Sequence, residues 1–432
     1  VAAQHRVQLV LLGQARQVLA VFFGGARRAP GARYRPGRLL EQRELAHAPA
    51  AFLCRGGGLH AKLHQNAPRR CRSLQQRGQQ MHRLHLPVGH GLGLDHRAVH
   101  AFGKRGREIP WGKARAPAAA HLLAQQPPHL ACIAPWEGTS DIYRESMFEG
   151  GVPAIAFNEF IVGSVTSENM VDDLVAMAQK SPLMNPYWED KIPDFSKITI
   201  PCYCTACWNH FHLRGAFQGF RKIKSKKKWM RAHREFEWPD GYSHQSITEL
   251  NLFYDRYLKD IHNCWESTPR VRLEVMDAKE FLFAKDRPET SFPLKRTEYR
   301  KLYLDAANHA LSWEPVTSES KVSYDGNTGV TTFDIKFTED TEITGYMKLH
   351  MWVTAEEYND ADIFINIQKL DTKGEWLPVS VLCEPHPGTW GKMRISHRAL
   401  DEEKSTHFQP IQSHLKEEKI QPGEVVVIRY EG

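Results

Sequence analysis

The chain changes character near residue 130, and no single folding rule covers both sides of that break. Residues 1–130 hold 21 Lys and Arg against 4 Asp and Glu, whereas the remainder holds 36 against 46. The first stretch has one serine (Ser73), no threonine, one isoleucine (Ile109) and one tyrosine (Tyr34), yet eleven of the 22 histidines. With so few β-branched and aromatic side chains to bury, a segment gains too little from collapse to offset its chain entropy. Basic runs such as GGARRAPGARYRPGR would neutralise phosphates, but no aromatic platform or docking fold accompanies them, so no nucleic-acid partner is expected. VQLVLLGQARQVLAVFF and AAAHLLAQQ read as short helices. Residues 1–126 are expected to be disordered or the product of a mis-translated or mis-joined frame, with no recognisable fold.

The apolar run 7–23 is interrupted by Arg16, is too short to span a bilayer and precedes no small-residue cleavage site. Neither a membrane nor a secretory route is expected, which implies a cytoplasmic chain. Its eight cysteines, in no disulfide framework, are then expected to be reduced thiols.

From residue 127 the pattern becomes regular. HLACIAP reads as a short apolar strand, ITIPCYCTACW (198–208) as a second and KWMRAH (228–233) as a third. Residues 141–190 read as mostly helical, with Met170, Val171, Leu174 and Met177 at helical spacing behind Ser167 as a cap. HLRGAFQGFRKIKS reads as a helix between the second and third strands, its Lys-rich end (221–229) a solvated terminus. Ser246-Ile-Thr-Glu249 has the form of a capping box for a further helix. Strands alternating with helices imply a parallel sheet covered on both faces. After Pro269 the period falls from 3.6 to 2: VRLEVM, RKLYLD, TTFDIKF, GYMKLHMWV and DIFINIQKL read as strands, with Ile363, Ile365 and Ile367 on one buried face. The fold class is thus α/β plus all-β. An α/β domain spans 127–268 with a helical cap at about 141–190, and a β-sandwich spans 269–432, expected to be truncated after EVVVIRYEG.

PPHLACIAPWEGTSDIYRES, WNHFHLRGAFQGF, KKKWMRAHREFEWPD and FYDRYLKDIHNCWESTPRVRLEV, followed by MRISHRALDEEKST and IQPGEVVVI, occur in that order. Together they resemble the CocE/NonD family hydrolases, the group of cocaine esterases and Xaa-Pro dipeptidyl-peptidases, over about residues 127–432. The resemblance implies an incomplete α/β-hydrolase domain with a helical cap and a C-terminal jelly roll with a galactose-binding-like fold. It implies a serine hydrolase acting on ester or prolyl-amide bonds through an acyl-enzyme, on a small-molecule ester or peptide substrate, with no cofactor. Such chemistry needs a serine on a G-x-S-x-G elbow, a histidine that takes its proton and a carboxylate that holds the histidine.

His233, at the end of KWMRAH, matches the family's general base. His210 occupies the family's acid position, two residues past Trp208, with Glu235 or Asp240 as substitutes from another direction. The nucleophile should lie around 100–115, and HAFGKRGREIPWGKAR contains no serine, threonine or cysteine; Ser73 lacks the flanking glycines. The chain as written is therefore not expected to catalyse serine hydrolysis. Trp136 and Glu137 could border the acyl pocket, and Asp141 with Arg144 fix the loop after them. Two other readings stand beside this one. The chain could be a non-catalytic pseudoenzyme or binding module built on the jelly roll. Less favoured is a zinc protein using Cys202, Cys204, Cys207 and His210; small thiols on a core strand explain those cysteines without a metal.

Overall fold

The computed structural model describes residues 6–12, 127–163, 172–277, 282–381, 384–386 and 389–431. All of these belong to one compact unit formed by Val1–Gln17 and Pro87–Gly432.

Three parallel strands, Cys202–Cys207, Lys228–His233 and Val271–Met276, lie side by side, and Leu282–Glu289 closes the sheet antiparallel to the last. The expected strand HLACIAP is reduced to two parallel bridges, Ile133 to Cys202 and Trp136 to Thr205. Its backbone still bonds the sheet, with Ile133 N donating to Pro201 O at 2.9 Å and Tyr203 N to Ile133 O at 2.9 Å. One face is covered by the helix Leu213–Lys222, whose Ala216, Phe217 and Phe220 pack on Cys202, Cys204, Met230, Val271 and Leu273. The other is covered by the helix His244–Leu258, where Leu250 and Phe253 meet Tyr203, Trp229 and Trp265. Both faces are dry, as a parallel sheet requires.

That second helix begins three residues earlier than Ser246-Ile-Thr-Glu249 implies. Ser243 is its N-cap, and the Ser243 hydroxyl accepts from Ser246 N. Ser246 is buried inside the helix, and Glu249 pairs with Arg272 rather than returning to the helix start. Within residues 141–190, Tyr143, Met147, Phe148, Ala178, Met184 and Trp188 form a separate apolar cluster. Its helix Leu174–Lys180 is capped by Asp173, whose carboxylate accepts from Val175 N and Ala176 N. The expected cap Ser167, with Met170 and Val171, lies outside the described residues.

The β-rich part has two layers. One is a six-stranded sheet in the order Thr389–Arg394, Asp362–Leu370, Arg6–Leu12, Val330–Lys336, Ala310–Ser312, Tyr303–Asp305. The other pairs Lys348–Val353 with Val426–Glu431. Phe333, Ile363, Ile365 and Met393 pack with Met351, Val426, Ile428 and Tyr430 between them, with Ile367 at the margin.

Arg6–Leu12 corrects two expectations, since it is neither helical nor without a fold. It runs antiparallel to both neighbours, Val10 opposite Thr332 and Asn366. A short apolar run cannot be assigned to helix or strand by periodicity alone. Here the strands on either side have backbone groups to satisfy, and an extended segment satisfies them. The rest of that expected helix, and AAAHLLAQQ, lie outside the described residues.

The two parts meet where a short hairpin, Phe148–Glu149 with Val152–Pro153, abuts Thr389–Arg394. Gly150 has φ +57°, and a Cβ there would stand 1.8 Å from Lys392 O. Gly150→Ala is expected to cost about 2–4 kcal/mol, through left-handed strain and displacement of that backbone. Gly163→Ala, with open space around it, is the control. Urea unfolding of both checks this, and equal midpoints would refute it.

Candidate active site

His233 ends its strand at the carboxyl edge of the parallel sheet and is 1% exposed. This is where an α/β sheet places functional groups. Its Nδ1 lies 2.8 Å from Glu235 O. A carbonyl can only accept, so Nδ1 carries a proton and Nε2 is the nitrogen turned toward the carboxylates. Nε2 is 3.2 Å from Glu137 Oε1 and 3.4 Å from Asp240 Oδ2.

Glu137 follows the bridging residue Trp136 with a left-handed backbone, φ +60°. That turn carries its side chain under the sheet edge, where it is 1% exposed. The helix Leu213–Lys222 can press against this loop because residue 215 is glycine: a Cβ there would stand 2.4 Å from Gly138 O. Burial raises the Glu137 carboxyl above its usual range, with His233 opposing the shift.

His210 does not take the acid's place beside His233. Its Nδ1 is 3.1 Å from Glu137 Oε2 and accepts from His212 N at 3.2 Å. Its Nε2 is 3.8 Å from Glu237 Oε2. Burial, then His212 and His233, push its pKa down to about 2, so His210 is neutral. His210 lies against Glu137, and Glu137 is the carboxylate nearest His233 Nε2.

The substitutes divide. Glu235 touches His233 through its backbone oxygen. Asp240 is near the imidazole, but its carboxylate is held by both terminal nitrogens of Arg231. Arg231 is 2% exposed, donates from Nε to Tyr203 OH at 3.1 Å, and lies 5.4 Å from the Trp136 ring. Tyr203 OH also receives Arg272, and Glu249 closes the network through Tyr203 and Arg272. Trp136 is thus a packing partner of this network, edge-on to Tyr203 at 5.9 Å. Asp141 and Arg144 pair at 2.7 Å, with Arg144 also reaching Gln412 O at 3.0 Å.

The zinc set suggested by sequence is not assembled. Cys202 and Cys204 are buried free thiols in the apolar core, and only Cys207 turns toward the histidines. Cys264 is disulfide-bonded, against the expectation of reduced thiols throughout. The expected nucleophile window lies outside the described residues. Among the described residues no helix is long and apolar enough to cross a membrane.

Residues 263–431 match the model of the X-Pro dipeptidyl-peptidase C-terminal non-catalytic domain. Two crystal structures of a CocE/NonD family hydrolase from Staphylococcus aureus are similar over 73% of this chain, with 33% sequence identity and a TM-score of 0.69. The alignment covers 58% of one of those chains and 59% of the other, so this chain spans less than two thirds of their length. No curated protein matches the sequence.

Proposed function

Because the chain is a relative of the CocE/NonD family hydrolases, we propose that its described residues are the proton-transfer half of a serine hydrolase. The fold would be an α/β-hydrolase with a helical cap and a galactose-binding-like jelly roll. The reaction would cleave ester or prolyl-amide bonds through an acyl-enzyme. The observation that carries this reading is His233 at a parallel strand end, with Nδ1–H fixed by Glu235 O and Glu137 3.2 Å from Nε2. A fixed tautomer leaves Nε2 as the base, and a neighbouring carboxylate stabilises the imidazolium formed when a serine proton arrives. Glu137 replaces His210 in the acid's role, because a neutral imidazole stabilises a cation poorly.

With no serine in residues 100–115, this chain is proposed not to acylate by itself. A fluorophosphonate probe is expected to leave the folded chain unlabelled, and stoichiometric labelling would overturn that statement. A variant given a G-x-S-x-G elbow ahead of residue 127 is expected to label. His233→Ala should then slow labelling by at least about 10³-fold; labelling indifferent to His233 would remove it from the role of base. The match of residues 263–431 to a non-catalytic domain favours a second reading, a binding module. A folded, elbow-bearing variant that never labels would select it.

A further inference from the structure

Two imidazole nitrogens, His233 Nε2 and His210 Nδ1, converge on the Glu137 carboxylate at 3.2 and 3.1 Å. His233 turns Nε2 toward the carboxylate, because Nδ1 donates to Glu235 O. His210 Nδ1 already accepts from His212 N. Both carboxylate oxygens of Glu137 are buried without a hydrogen-bond partner, as is His233 Nε2. Buried polar atoms left without hydrogen-bond partners in a dry site are satisfied by a cation bound between them. Cys207 Sγ lies within the same group, with one ligand atom from each of Glu137, Cys207 and His233 all within 4.8 Å of one another.

We propose that Glu137, Cys207 and His233 bind one divalent zinc-class cation, with a fourth position open. The donor set, one thiolate sulphur, one imidazole nitrogen and one carboxylate oxygen, suits zinc or cobalt and is too soft for magnesium or calcium. Two ligands of a tetrahedral zinc stand about 3.3–3.5 Å apart, given bonds of about 2.0–2.2 Å. The 3.2 Å between His233 Nε2 and Glu137 Oε1 fits that edge.

The surrounding groups are those that orient metal ligands. Glu235 O takes the other imidazole proton of His233, fixing Nε2 as the donor atom. Asn209 N–H points at Cys207 Sγ at 3.4 Å and would support a thiolate once metal is bound, against burial and the Glu137 charge, which keep the free thiol protonated toward Arg234 O. Binding exchanges the Cys207 thiol proton, released to solvent, for the Sγ–metal bond. This set differs from the Cys202, Cys204, Cys207 and His210 group, of which it keeps only Cys207.

The proposal does not rest on the hydrolase reading. The two states exclude each other at one atom, because Nε2 cannot ligate a metal and accept a proton together. Bound metal would therefore hold the proton-transfer site inactive.

The test uses the full chain, stripped with a chelator and titrated with Co²⁺, with no substrate present. One equivalent is expected to bind, with visible d–d bands and a near-ultraviolet thiolate-to-cobalt band. Cys207→Ser should abolish the near-ultraviolet band, and Glu137→Gln should weaken binding by at least about 10-fold. Cys204→Ser should leave both bands intact. Substoichiometric binding by the folded wild-type chain would overturn the proposal, as would a near-ultraviolet band that persists in Cys207→Ser. The wild-type titration decides the matter even if a variant fails to fold. Probe labelling reads acylation alone, so each proposal can fail without the other.

Discussion

Asp240→Ala is expected to lower the unfolding free energy by about 3–5 kcal/mol, the range for leaving a buried charge without its partner. Arg231 projects from the middle parallel strand into a closed interior, 2% exposed, and Asp240 is 7% exposed. The carboxylate takes both terminal nitrogens of Arg231, and the Ser246 hydroxyl bonds one of them at 3.0 Å. No water can replace Asp240 at that depth without opening the sheet edge. Replacing both partners is expected to cost far less. Arg231→Met with Asp240→Leu removes the charge together with its counter-charge, and Tyr203 OH keeps Arg272 and Glu249. Urea unfolding of the two variants tests this. A loss under about 1 kcal/mol for Asp240→Ala would sink the argument.

Acid stability should show a plateau and then a cliff. His210, His212, His397 and His414 are all depressed by burial, His210 to about 2 and His212 to about 4. A histidine held neutral when folded gains its proton only on unfolding, so stability is lost as pH falls below about 6.5. Glu137, Glu145 and Glu431 are raised by burial, Glu145 to about 7. A carboxyl raised on folding adds stability as pH falls from its folded value to about 4.5. Between about 6.5 and 4.5 the two sets oppose each other, each group worth at most about 1.4 kcal/mol per pH unit.

Below about 4.5 the glutamates stop contributing while His210 continues. Glu249 then joins it: burial raises its carboxyl, but the Arg272 hydrogen bonds and charge outweigh that and hold it near 2. Its ion pair is lost as pH falls from about 4.5 toward 2. Urea midpoints are therefore expected to stay nearly level down to about pH 4.5. Below that they should fall by the equivalent of about 2–4 kcal/mol per pH unit. A steady decline beginning at pH 6.5 would contradict this account.

The parallel sheet and the β-rich part were legible because their signals are long and repetitive. Alternating Ile363, Ile365 and Ile367 permit one assignment of faces. His233 was legible too, since ending an apolar strand is a local property. Glu137 was not, because its role depends on a left-handed turn and on two histidines more than seventy residues away. Arg231 within KWMRAH gives no hint that its carboxylate lies nine residues on. The capping-box reading failed for a related reason: Glu249 is drawn to Arg272 by tertiary charge, which outweighs the local reach to the helix start.

The strand Arg6–Leu12 sits between two strands more than three hundred residues further along the chain. During synthesis it emerges before either of them, and has neither partner in the sheet until Val330–Lys336 is made. Loop closure over that length adds only slowly to the equilibrium cost, but non-local pairings of this kind slow folding. Until the strand arrives, Val330–Lys336 and Asp362–Leu370 each present an open edge able to recruit another chain. The order in which this sheet closes is therefore a kinetic vulnerability, set by topology rather than by the stability of the finished protein.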